Sequence, residues 1–226
     1  MASFQTHLSF GIALGVASVG LTIFFNLVPA DWSFLALLAL LAVVGAILPD
    51  MDSDSGVPFH VTFGSLAITA GGLGFWYALR HFPGDYRWIA GLPIGAMFFV
   101  WVVLGTIFKK LTHHRGIVHS IPAMLLAGMA IFSLAGVSGY DSWEAFLLGL
   151  AMALGFTLHL VLDEIFAAVN FHGIPFVPNK ELGSALKLKS NSLGANAIVY
   201  IPLFFLLLRS GGTIAQLTGR LFGIVK

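Results

Sequence analysis

The sequence predicts an all-α, polytopic membrane protein: a helical bundle of six to seven spans with its polar chemistry gathered at one membrane face. Three observations carry this. Of 226 residues, 58% are hydrophobic and only 9% charged, where soluble domains carry about a quarter charged. The apolar residues fall in runs near the length of about 20 that crosses a bilayer. Polar, metal-capable residues recur where those runs begin or end. Net charge is +1, so there is no nucleic-acid footprint. Cysteine is absent, which excludes disulfides and thiolate ligands. Any metal here takes nitrogen and oxygen ligands. We read residues 1–226 as a single membrane-embedded domain.

The elements follow in order. The N-terminal stretch lacks a basic region, so the first apolar run, about 7–28, reads as a retained span rather than a cleaved signal. Gly11, Gly15 and Gly20 suit close helix packing. Asp31 is placed to cap span two, about 32–48, which stops at Pro49. An acidic loop, Asp50-Met-Asp52-Ser-Asp54, follows. Span three covers about 59–79, and Pro83-Gly84 turns the chain into span four, about 88–108. The stretch from Thr112 to Ser120 then holds His113, His114, Arg115 and His119. Ser120 and Pro122 open span five. Asp141-Ser-Trp-Glu144 has the form of a capping box for span six, which reaches Asp163-Glu164. A polar loop, about 170–196, leads to a short span seven, about 197–208, and an amphipathic tail from 210 to 226 suited to the interface.

Alternation of the spans brings His7, Asp50, Asp52, the 112–120 stretch, His159 and Asp163 to one face. Trp32, Trp76, Trp88 and Trp143 fall near the other, as an aromatic belt does. The first face also holds Lys109, Lys110, Arg115, Lys180, Lys187 and Lys189, a bias that favours the cytoplasmic side.

His159 and Asp163 are i and i+4 on one helix face, so they can share a metal, or the Asp can orient the His. Ionisable residues inside spans are costly and mark function. Asp50 and Asp52 form a tight carboxylate pair that can bind a cation, with Asp52 also a candidate general base. His114 and His119 are five apart, about 140° on an ideal helix, so they converge only through non-helical chain. His113 competes with His114 for the inward position. Arg115 has the planar fork for a phosphate or carboxylate, with Ser120 beside it as a second candidate substrate contact. His7 opens span one on the same face, and His60 opens span three. His81 lies on the other face and His172 in the polar loop. Asp31, Asp141 and Glu144 are explained as caps, while Asp54 and Glu164 read as solvated. The metal-ligand candidates are therefore His7, Asp50, Asp52, His114, His119, His159 and Asp163.

Four segments resemble the YdjM/DUF457 family of bacterial inner-membrane proteins: Thr6-His7, Leu48-Pro-Asp-Met-Asp52, His114-Arg-Gly-Ile-Val-His-Ser120 and His159-Leu-Val-Leu-Asp163. Where family members often carry His after the second Asp, this chain has Ser53, which raises His60 as a substitute. The resemblance implies a multi-pass inner-membrane location and metal-dependent hydrolysis. The order of His and Asp is also similar to that of zinc phospholipase C and P1-type nucleases, a fold-level analogy.

These readings together predict a membrane-embedded hydrolase. It would hold one or two divalent cations, zinc first with manganese and magnesium as alternatives, and cleave a phosphoester-type bond in a lipid or lipid-linked substrate. The runner-up is a metal- or proton-coupled transporter, whose sites usually lie near the midplane between repeats. A metal-stabilised scaffold without turnover is the third reading.

Overall fold

The computed structural model describes residues 2–29, 31–52, 57–106, 116–168, 183 and 186–221; the side chains of 51, 52, 57, 58, 220 and 221 lie outside this set. Among the described residues there are seven helices and no strand: α1 Phe4–Phe24, α2 Trp32–Ile47, α3 Val57–His81, α4 Tyr86–Phe98, α5 Ile121–Val137, α6 Ser142–Ala168 and α7 Leu193–Leu221. A 3-10 turn, Leu48–Asp52, prolongs α2, and a π-helical stretch, Phe99–Leu104, prolongs α4. Among the described residues five helices are long and apolar enough to cross a membrane: α1, α2 with its turn, α4 with its π-helical stretch, α6 and α7. The expected helical membrane bundle is what the chain forms.

The chain divides into two compact units. The first comprises residues 1–49 and 115–226 and contains α1, α2, α5, α6 and α7. The second is residues 50–114, with α3 and α4.

In the first unit α6 is the central helix, packed against α1, α2 and α5. Its caps are those the sequence foretells. The Asp141 carboxylate accepts from the amides of Trp143 at 2.7 Å and Glu144 at 2.9 Å, and Glu144 accepts from the Asp141 amide at 3.1 Å. This reciprocal box satisfies helix-end donors that would otherwise lack partners. Asp31 likewise caps α2 through the Ser33 amide at 2.9 Å. The Ser33 amide, then its hydroxyl, hold the Asp31 carboxyl below its ordinary range. Ser120 caps α5 through the Ala123 amide at 3.3 Å. The core holds Phe34 and Leu38 of α2, Phe132 of α5 and Leu148 and Met152 of α6. At the end where α1 stops and α6 starts, the Trp143 indole donates to the Leu27 carbonyl at 2.9 Å.

The contact that matters most for the site is between α2 and α6. It is made by glycine on both sides. A Cβ at Gly155 would collide with the Ala42 carbonyl oxygen, and one at Gly45 would collide with the Met152 carbonyl oxygen. With hydrogen at both positions the backbones come into direct contact, as small residues allow in membrane bundles.

One expectation is corrected. The short seventh span and the separate surface tail are a single helix running through Gly211 and Gly212 to Leu221. Two glycines in water weaken a helix, but packing overrides propensity. Ser210 meets Ser133 of α5 at 3.3 Å just before the pair, and Leu217 is buried in the core just after it. The helix is thus anchored on both sides of its weakest point.

In the second unit α3 and α4 pack through Gly71 against Met97 and Gly74 against the Leu92–Pro93 backbone. His60 stacks on Trp101 with ring centroids 5.4 Å apart.

Replacing Gly155 with Ala should destabilise the purified protein by about 1–3 kcal/mol, the usual cost of overpacking. Gly20→Ala, where a Cβ meets nothing within 4 Å, should leave thermal unfolding in detergent within about 1 °C of wild type or slightly above it. The pair of melting curves checks this.

Candidate metal centre

Three imidazoles and one carboxylate converge inside the first unit. His7 comes from the first turns of α1, His119 from the turn before α5, and His159 and Asp163 from the C-terminal half of α6. All four are buried: the histidines are 0% exposed and Asp163 is 1% exposed. Asp163 is the hub. Its Oδ1 lies 3.4 Å from His7 Nε2, and its Oδ2 lies 3.8 Å from His159 Nε2 and 4.0 Å from His119 Nε2. The His7 and His159 rings stack with centroids 3.8 Å apart, and His119 stands edge-on to His159 at 5.5 Å.

Two backbone groups orient this set. The Ala2 amide donates to Asp163 Oδ1 at 3.2 Å. Oδ2 accepts no hydrogen bond among the described residues, so that oxygen is turned toward His119 and His159. The Ala46 carbonyl lies 2.8 Å from His159 Nδ1. A carbonyl only accepts, so Nδ1 carries a proton, and Nε2, on the Asp163 side, is the ring nitrogen placed to bind a cation. A backbone carbonyl on the far nitrogen is the usual support of a metal-binding histidine. The geometry depends on the glycine contact, since Ala46 follows Gly45 and Gly155 lies one turn before His159.

The donor set fits a divalent cation. In a tetrahedral zinc site with bonds of 2.0–2.2 Å, neighbouring ligand atoms sit about 3.3 Å apart. The ligand atoms of His7, His159 and Asp163 lie within 4.8 Å of one another, so coordination needs only small side-chain shifts.

The remaining sequence candidates are placed as follows. Asp50 and Asp52 lie in the 3-10 turn that prolongs α2, at the start of the second unit; the Asp52 side chain is outside the described residues. His113, His114, Arg115, Asp54 and His172 also lie outside them. His60 belongs to α3, exposed and stacked on Trp101. The buried Ser120 hydroxyl donates to the Ile117 carbonyl and accepts from Ala123, so its hydrogen bonds are local ones. Glu164 accepts from the Gly183 amide at 2.7 Å. The two orienting backbone groups, at Ala2 and Ala46, carry no side-chain signature. The Gly45-Ala46 pair was the only trace of the second, as a site of close helix approach.

The fold and this cluster define a multi-helix membrane protein with a buried His/Asp centre able to hold a metal ion. The family model for the YdjM inner membrane protein matches residues 1–222, and the chain belongs to that family. No curated protein and no solved structure matches it.

His7→Ala, His119→Ala, His159→Ala and Asp163→Ala should each weaken divalent-cation binding by more than about tenfold, since each removes a coordinating atom. His60→Ala should leave it within about twofold. Isothermal titration of the detergent-purified protein with zinc measures both.

Proposed function

We propose that this protein is a membrane-embedded, metal-dependent hydrolase acting on a phosphoester-type bond in a lipid or lipid-linked substrate. The single observation supporting it is the buried meeting of His7, His119, His159 and Asp163, drawn from residues 7 to 163 of a membrane chain. Burying ionisable groups among apolar helices is costly, and a cation gives that cost a chemical purpose.

In this reading His7, His119, His159 and Asp163 hold the ion, and zinc is the first candidate. A bound divalent cation supplies Lewis acidity, polarising the scissile group and lowering the pKa of a water. The chain's own residues do the rest. The Ala2 amide and the Ala46 carbonyl keep the carboxylate and the His159 ring in one orientation. The sequence motifs add Asp50 and His114 as further candidate ligands, Asp52 as the candidate base for the attacking water and Arg115 as the candidate fork for the substrate's anionic group. The site residues of α6 lie in its C-terminal half. A head group entering there leaves its tails in the bilayer, on the side that the excess of basic residues weakly favours as cytoplasmic.

The test is a phosphate-release assay on phospholipid in mixed micelles with zinc, manganese or magnesium, paired with anomalous scattering at the metal edge. We expect an anomalous peak among the four side chains, and loss of both metal and turnover in His159→Ala and Asp163→Ala. Turnover that survives the double replacement ends the hydrolase reading. Metal-dependent ion flux into proteoliposomes, with no released product, would instead mark a transporter.

A further inference from the structure

Of the four clustered side chains, His119 alone lies outside a helix. Something else must hold it still if it is to serve as a ligand. Its own turn is closed by the His119 amide on the Gly116 carbonyl at 3.3 Å and by the Ser120 hydroxyl on the Ile117 carbonyl. A turn this short is not rigid by itself.

The support comes from the entry to α7. Ile117, 4% exposed, packs in one cluster with Val199 of α7, together with Ala123, Phe156 and Leu160. On the other side of His119, the Ile121 amide donates to the Lys187 carbonyl at 3.1 Å, and Ser120 pairs with Lys187 in a single parallel bridge. The 187–190 segment is in turn held by α7. The Tyr200 hydroxyl donates to the Leu188 carbonyl at 2.7 Å. The Asn196 side chain accepts from the Ser190 amide at 2.8 Å and donates to the Ser190 carbonyl at 2.9 Å. His119 therefore sits between two attachments that both lead to the first two turns of α7.

We infer that Tyr200 and Asn196 are positioning residues for His119, acting through the backbone of residues 187–190. The inference rests on the reading of His119 as a metal ligand. The hydrogen bonds of both side chains go to the 188–190 backbone, and each fixes the segment whose carbonyl holds the chain next to His119. Groups hydrogen-bonded directly to a metal ligand typically change affinity about ten- to a hundredfold, and here the effect passes through one further hydrogen bond and is smaller.

A double-mutant cycle on the full chain in detergent tests it. Tyr200→Phe, which removes only the hydroxyl, and Asn196→Ala should each lower zinc affinity by about three- to tenfold in the wild-type background. In the His119→Ala background the same changes should leave the residual affinity unchanged, because the coupling runs through the missing ring. Equal losses in both backgrounds, or none in either, overturn the inference. A second measurement does not depend on metal. Hydrogen exchange of the 117–124 peptide should quicken in Tyr200→Phe, through the Ile121 amide, while the peptides of α2 stay as in wild type. Unchanged exchange at 117–124 also overturns it. If the wild-type chain takes up no zinc, the metal reading fails and exchange alone decides the linkage between α7 and the His119 turn.

Discussion

A carboxylate removed from water sets the terms for this structure. Asp163 is 1% exposed on an apolar helix, and a buried charge is tolerated only where partners replace the solvent. The partners are one amide, from Ala2, and three imidazoles, from His7, His119 and His159. None of these is near it in sequence except His159. The start of α1, the turn before α5 and the C-terminal half of α6 must therefore all come to one place. The direction in which each helix runs follows from that demand, and the Trp143–Leu27 hydrogen bond ties α1 and α6 at their other ends.

The meeting is only as good as the α2–α6 contact allows. Were Gly45 or Gly155 any larger residue, the backbones would separate, and the Ala46 carbonyl would leave His159 Nδ1. That hydrogen bond decides the tautomer of the ring, and the tautomer decides whether Nε2 can act as a ligand. A packing feature of two hydrogen atoms thus governs the chemistry of a side chain one turn away. Helix association in a bilayer relies on such close fit, since lipid tails are as apolar as the side chains and burial alone supplies little drive.

Much of this could be read along the chain. His159 and Asp163 at i and i+4 announce a shared face, and the caps at Asp31, Ser120 and Asp141 announce where helices begin. The continuous apolar runs place the first six spans to within a few residues. What escaped reading was contributed by backbone or by distant packing. The Ala2 amide and the Ala46 carbonyl have no residue-type signal. Gly211-Gly212 reads as a break by local propensity, and only the burial of Ser210 and Leu217 on either side carries the helix through it. The role of the α7 entry was equally hidden, because Tyr200 and Asn196 act through carbonyls and amides that any residue could supply.

The split between helical and non-helical ligands bears on how the centre is held. His159 and Asp163 are fixed to each other by a helix, and His7 stacks on His159 at 3.8 Å. These three form a rigid half. His119 stands on a short turn whose restraints lie in another part of the chain, the first turns of α7. The cluster therefore rests on two independent supports: the α2–α6 contact, which brings the Ala46 carbonyl to His159, and the entry to α7, which holds the chain on either side of His119. A change at either support would displace one imidazole while leaving the other three side chains where their own helices put them.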